Sequence, residues 1–295
     1  MYVREQLAEE YGEEVLQSGG FVVTTTLDYD KQKMAEEAVA TYKDQNKARG
    51  ANNASLVSLD PKTGEILAMV GSVDYFDTDN DGNVNVSIRQ RQPGSSIKPI
   101  VYAKAFEDGY SPATMLMDVR TDFGNGYIPQ NYDKGFRGPV SIRQAIGNSL
   151  NIPAVKTLEL VGVREATAFA NKLGIASLNN PDRYGLSLVL GGGEVTLLEM
   201  ATAYSTFANK GVRHDPLSIL KVEDNKGKKL FEYKEKEHKG ERVMSEQIAY
   251  MISHVLSDDG ARAATFGLGG VLTLPDRPVA AKTGTTDEYR DAWTM

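Results

Sequence analysis

The stretch RQPGSSIKPI, residues 91–100, sets two adjacent serines ahead of a lysine and a proline. Ile97, Ile100, Val101 and Ala105 recur at helical spacing, which predicts a helix from Ser95 to Asp108 that ends at Gly109. On a helix, residues three apart share a face and residues two apart do not. Lys98 is therefore paired with Ser95, and Ser96 is turned away. Gly94 allows a sharp entry into the first turn, where unpaired backbone N–H groups and the helix dipole favour developing negative charge. A serine hydroxyl is a poor nucleophile until a neighbour removes its proton. Lysine, with an ordinary pKa of about 10.4, can do that only if it is desolvated or held beside a second cation. Taken alone, the pattern reads as a capping serine followed by a solvent-facing lysine.

Bulk properties bound the alternatives. The chain has 295 residues, enough for one large domain or two small ones, and its 41% apolar and 25% charged content predicts a packed core. A net charge of −7 argues against a nucleic-acid partner, which would need a basic face. With no cysteine, disulfides, thiolate metal sites and cysteine nucleophiles are excluded. No stretch approaches the roughly 18 apolar residues of a membrane span, and the charged, helix-like start MYVREQLAEEYGEEV does not read as a signal peptide. Only three histidines occur, His214, His238 and His254. None stands in a triad-like setting, so each reads as a solvated or packed side chain.

Outward from residues 91–100 the pattern alternates strands and helices. A polar helix is expected over 1–16, a β-branched strand at FVVTTTLD (21–28), and a helix from an Asp28 or Asp30 cap to about Tyr42. ASLVSLD and EILAMVGS form a hairpin turning at DPKTGE. Helices are expected in VSIRQAIGNSLN, VREATAFANKLG, TLLEMATAYSTFANKG and SEQIAYMISHVL, with a second hairpin in LSILKVEDNKGKKLFEY and a short strand opening RPVAAKTGTT. Strands early and late with helices between predict an α+β fold: one sheet built from both chain ends, with a helical region inserted.

Two further stretches can complete a site with Ser95 and Lys98. In IGNSLNIPAV, Ser149 and Asn151 stand two apart before Pro153 and can point from a short irregular segment into a cleft, the serine relaying a proton and the asparagine pairing with a peptide backbone. In VAAKTGTT, Lys282, Thr283, Gly284 and Thr285 follow an apolar strand. There Gly284 would admit a substrate backbone, Lys282 and the threonines would hold a carboxylate, and the Lys282 charge would help depress the pKa of Lys98. A second K-T-G at Lys62–Gly64 sits between a proline and a glutamate and reads as a hairpin turn. The acidic run 74–85 imitates the start of a calcium loop, but Ile88 stands where a bidentate glutamate is needed, so it reads as a solvated turn. Gly191–Gly193 lacks the ending of a phosphate loop and reads as a flexible bend before a helix near Thr196, beside the cleft rather than in it.

S-x-x-K, S-x-N and K-T-G in this order and spacing resemble the signature of the penicillin-recognising serine acyltransferases. The wider wording, in RQPGSSIKPIVYAKAFEDG, IRQAIGNSLNIPAVK, LVLGGGEVTLLEMATAYSTFANKG and VAAKTGTTDEYRDAW, is similar to the transpeptidase domain of class A, bifunctional penicillin-binding proteins. GGFVVTTTLDYDKQKMAEEAV resembles the segment that leads into it from an upstream glycosyltransferase. The resemblance implies an antiparallel sheet flanked by helices, with an all-helical subdomain and the site between them. Residues 1–27 would be the lead-in and 28–295 the transpeptidase domain. It also implies D,D-transpeptidation of peptidoglycan stem peptides. Ser95 would be the nucleophile, Lys98 its base and Ser149 the relay to the leaving amine. Lys282, Thr283 and Thr285 would bind the terminal carboxylate, with Gly284 beside them, and Asn151 the amide backbone. The N–H groups of Ser95 and Thr285 would form the oxyanion hole. β-Lactams would acylate Ser95. No cofactor or metal is implied. The expected partners are stem peptides, β-lactams and other wall-synthesis proteins, at the extracytoplasmic face of a bacterial membrane reached through an N-terminal anchor outside this sequence.

Class A proteins continue past the K-T-G strand with two more strands and a C-terminal helix. On that expectation the chain is C-terminally truncated and the Lys282 strand is left as an exposed edge. Two rival functions stay open. One is hydrolysis, as in a D,D-carboxypeptidase or serine β-lactamase, although no glutamate stands evidently placed to activate a deacylating water. The other is a non-catalytic β-lactam-binding receptor or scaffold.

Overall fold

The computed structural model describes residues 1–295, apart from the side chains of Glu235 and Asp287. The chain divides into two compact units, one of Met1–Arg89 with Arg213–Glu241 and one of Gln90–Val212 with Arg242–Met295.

In the first unit, Val22–Thr25 pairs antiparallel with Ile219–Glu223, which pairs in turn with Lys229–Glu232. Residues 1–27 are thus built into this unit through its sheet. The buried Thr26 hydroxyl donates to the carbonyls of Ile66 and Leu217, at 2.8 and 3.0 Å, and pins the end of the strand. The helix Tyr29–Ala48 starts where expected, with the Asp28 carboxylate accepting from the Lys31 N–H. It runs beyond Tyr42 and lays Ala35 and Val39 on Ala68 and Val70 of the hairpin Leu56–Leu59/Ile66–Val70. Lys62-Thr63-Gly64 closes that hairpin, with Gly64 at φ 79°.

The second unit is mainly helical and holds the larger core. At its centre runs Lys98–Glu107, with Ile100, Val101, Tyr102, Ala103 and Phe106 all buried. Full burial stabilises by roughly 1.5–3 kcal/mol for each of the larger apolar side chains, Ile100, Val101 and Phe106. Around it pack Asn151–Val161, Val163–Lys172, Leu197–Ala208 and Glu246–Leu256. Thr196 and Glu199 close a capping box at the start of Leu197–Ala208.

Four local expectations need correction. The helix predicted from Ser95 opens as a 3₁₀ turn, Gly94–Ile97, before α geometry begins at Lys98; Pro99 lacks the N–H that an α-helix would use to reach the Ser95 carbonyl. VSIRQAIGNSLN is broken, with Ile142–Gly147 and Asn151–Val161 separated by Ser149 at φ 55°. Pro153 does not stop the second of these, because a first-turn residue has no intrahelical acceptor for its N–H. The single sheet expected from both chain ends is instead divided among separate small sheets. Finally, Thr283–Thr285 is an exposed edge on one side only: Ala292–Thr294 pairs with its other side in a two-stranded sheet, and mutual hydrogen bonds between Thr286 and Asp291 close the turn.

Candidate active site

Which of the two serines is available is settled by hydrogen bonding. Ser96 is fully buried and its hydroxyl donates to the Pro93 carbonyl at 2.7 Å. Ser95 is half-exposed and lines a cleft of about 700 Å³. A 3₁₀ turn eclipses residues three apart, so Ser95 and Lys98 share a face more closely than on an α-helix.

The turn is held on several sides. The hydroxyl of Tyr204 donates to the Ser96 carbonyl at 2.7 Å. Arg91 and Val195 exchange backbone hydrogen bonds of 2.8 and 2.9 Å, which fastens the segment before the turn. A Cβ on Gly191, at φ 98°, would meet the Gly94 nitrogen at 2.4 Å. Gly191 is therefore a close-packing point against the turn that carries Ser95, while Gly192 and Gly193 face Ser187, Leu178 and Leu188 instead. Gly284 also departs from expectation. A Cβ there would meet the Pro93 carbonyl oxygen at 2.2 Å, so its missing side chain admits the turn and not a substrate backbone.

Lys98 is fully buried, and its amine donates to the Ser149 carbonyl at 2.7 Å and to Asn151 Oδ1 at 2.6 Å, with Ser149 Oγ at 3.5 Å. Lys282, also buried, donates to Ser149 Oγ at 2.8 Å and to the Thr283 carbonyl at 2.7 Å. Burial, with the nearby Lys282 charge, pushes the Lys98 pKa well below that of an ordinary lysine. Burial pushes Lys282 down to about 7. A neutral lysine has two N–H donors and one lone pair. Two close acceptors occupy the donors, which leaves the lone pair to take a proton from a hydroxyl.

The left-handed backbone of Ser149 makes this junction, offering its carbonyl to one lysine while its hydroxyl meets the other. For a non-glycine residue that conformation costs about 1–2 kcal/mol.

Ser95, Ser149, Asn151, Thr283 and Thr285 come together on the cleft wall, with Lys98 and Lys282 in the layer beneath. Three expected placements differ. Lys98 bonds Ser149 and Asn151, and no hydrogen bond joins it to Ser95 among the described residues; catalytic bonds are often long before substrate arrives. Asn151 has its side chain committed, its oxygen to Lys98 and its Nδ2 to the Gln130 carbonyl at 2.7 Å. Lys282 addresses Ser149 rather than open cleft. Thr285 lies opposite Ala292 in an antiparallel register where hydrogen-bonded pairs alternate. Lys282 and Met295 exchange both bonds, so the Thr285 N–H points away from the neighbouring strand. No histidine is among the residues lining the cleft.

Sequence reasoning missed Tyr204, Asp118 and Asn131. Asn131 lies on the cleft wall in the polar stretch 127–133, which has no periodicity to mark it, and Asp118 is buried behind it at the end of the strand Met115–Asp118.

Residues 54–292 match the penicillin-binding protein transpeptidase domain. The chain belongs to this family. It is 34% identical to penicillin-binding protein 1C of Escherichia coli over 92% of its own length and 33% of that protein's. It is 36% identical to penicillin-binding protein 1A of Aquifex aeolicus over 81% and 32% of the respective lengths. The chain thus spans about a third of these relatives. In three dimensions it is similar to PonA1 of Mycobacterium tuberculosis, with a TM-score of 0.82 and 27% identity, covering 99% of this chain and 78% of that one.

Proposed function

We propose that the chain is the D,D-transpeptidase part of a class A penicillin-binding protein, with residues 1–27 leading in from an upstream glycosyltransferase. It would act on peptidoglycan stem peptides at the extracytoplasmic face of the membrane. The observation that carries this reading is the pair of buried lysines, Lys98 and Lys282, that meet at Ser149 behind the half-exposed Ser95.

The chemistry balances without a cofactor. Neutral Lys98 takes the Ser95 proton as Oγ attacks the carbonyl between two terminal D-alanines. The oxyanion rests against the N–H groups of Ser95 and Thr285, each such donor being worth roughly 2.7–4 kcal/mol. The C–N bond breaks, the proton passes through the Ser149 hydroxyl to the leaving amine, and D-alanine departs. The amine of a second stem peptide then attacks the ester and gives up a proton by the reverse route, and Ser95 is restored. Thr283 and Thr285 face the cleft and would receive the substrate carboxylate. Lys282 supports it from below through Ser149. A β-lactam enters the first half of this cycle and stops as the Ser95 ester.

Exposure to penicillin followed by intact-mass spectrometry tests the reading. One covalent adduct on the wild type, absent from Ser95→Ala, is expected. An unchanged mass in a folded wild type would overturn it.

A further inference from the structure

Beneath the cleft lies a buried carboxylate that the reaction does not use. Asp118 is fully buried at the end of the strand Met115–Asp118, and Asn131 is 4% exposed. Asn131 Nδ2 donates to both carboxylate oxygens of Asp118, at 2.8 and 3.0 Å, and to the Gly135 carbonyl at 2.9 Å. Asp118 also accepts from the Arg137 N–H at 3.0 Å, with the Arg137 guanidinium 3.9 Å away. Every partner of the Asn131 nitrogen is an acceptor, which fixes the orientation of its amide. Its Oδ1 is thereby turned to Asn151, whose backbone N–H it accepts at 2.8 Å. The neighbouring Gln130 carbonyl accepts from Asn151 Nδ2 at 2.7 Å. Asn151 is gripped at both ends, and its remaining side-chain polar atom, Oδ1, meets the Lys98 amine at 2.6 Å.

We propose that Asp118 and Asn131 are positioning residues for the base. The carboxylate orients the Asn131 amide, Asn131 and Gln130 orient Asn151, and Asn151 fixes which way the Lys98 amine turns. The contribution is geometric. With Asn151 free to rotate, its nitrogen could face the lysine and compete for the lone pair that Ser95 needs. This inference rests on the transpeptidase reading for its kinetic consequence but not for its structural one.

The test uses the full chain in four forms: wild type, Asn131→Ala, Asn151→Ala and the double variant. In saturation kinetics with a fluorescent penicillin, Asn131→Ala should lower the acylation rate constant roughly 10- to 100-fold, by analogy with the loss of a group that orients a metal ligand. The dissociation constant of the preceding complex should change less than about threefold. Because the effect passes through Asn151, the double variant should be little slower than Asn151→Ala alone; multiplicative losses overturn the proposal. Asp118→Asn, which preserves volume, should slow acylation in the same direction and serves where Asn131→Ala does not fold.

A second readout needs no penicillin. The pH titration of the Lys98 side chain, followed by NMR with isotope-enriched lysine, should shift in either folded variant. An unchanged titration overturns the proposal even if the wild type is never acylated. A wild type that does not react with penicillin, together with a shifted Lys98 titration, overturns only the transpeptidase reading.

Discussion

On the transpeptidase reading, the chemistry at Ser95 and Lys98 turns on one protonation state. Lys98 can serve as a base only when neutral, and burial beside Lys282 holds its pKa well below the usual lysine range. Acylation by penicillin should therefore rise with pH as Lys98 loses its proton, a trend that stopped-flow kinetics would follow. Lys98→Arg keeps a cation that cannot deprotonate. It should lower the acylation rate roughly 10²–10⁴-fold and flatten the profile; a variant that kept the wild-type profile would remove Lys98 from the role of base. The choice of serine was legible in the sequence, because a three-residue spacing is a statement about faces. The partners of Lys98 were not. They come from a segment more than fifty positions away, and their approach depends on a left-handed residue in the middle of what reads as a continuous helix.

At the level of elements, the turn that carries Ser95 owes its placement to what lacks a side chain. Gly191 and Gly284 let backbone meet backbone on two sides of residues 93–96, and the Tyr204 hydroxyl reaches a third. Gly191→Ala should cost about 1–2 kcal/mol for the left-handed backbone alone, with more from displacing Gly94. We expect a lower melting temperature in calorimetry and slower acylation. Gly193→Ala meets side chains of Leu178 and Leu188 rather than backbone, so it should leave the acylation rate closer to that of the wild type. The individual helices were largely readable from apolar periodicity and caps, as at Thr196 and Asp28. The glycine contacts were not, because close approach is a relation between distant segments and a lone sequence shows only permission for it.

For the whole molecule, two buried lysines make stability depend on pH. Lys282 has a folded pKa of about 7 against about 10.4 unfolded, so between those values the unfolded chain binds more protons. Stability should therefore increase as pH rises from about 7 toward 10.4, with Lys98 adding a contribution of the same sign. The slope from Lys282 alone is at most about 1.4 kcal/mol per pH unit. Denaturant unfolding at pH 7 and pH 9 should show the gain, and Lys282→Met should remove part of it. An equal gain in that variant would mean that the Lys282 amine is not desolvated in the folded protein. The α+β class and the site motifs were readable in advance, but the division of the strands among small sheets was not. Strand propensity says that a segment pairs; it does not say with what.

The left-handed residue at 149 has an engineering consequence. Glycine there would relax the backbone by about 1–2 kcal/mol, yet it would strip out the hydroxyl that accepts from buried Lys282 at 2.8 Å and lies 3.5 Å from the Lys98 amine, a loss of similar size. On the transpeptidase reading, a library ranked by thermal shift alone would therefore pass over the removal of the proton relay, because the two terms offset each other in stability and not in turnover.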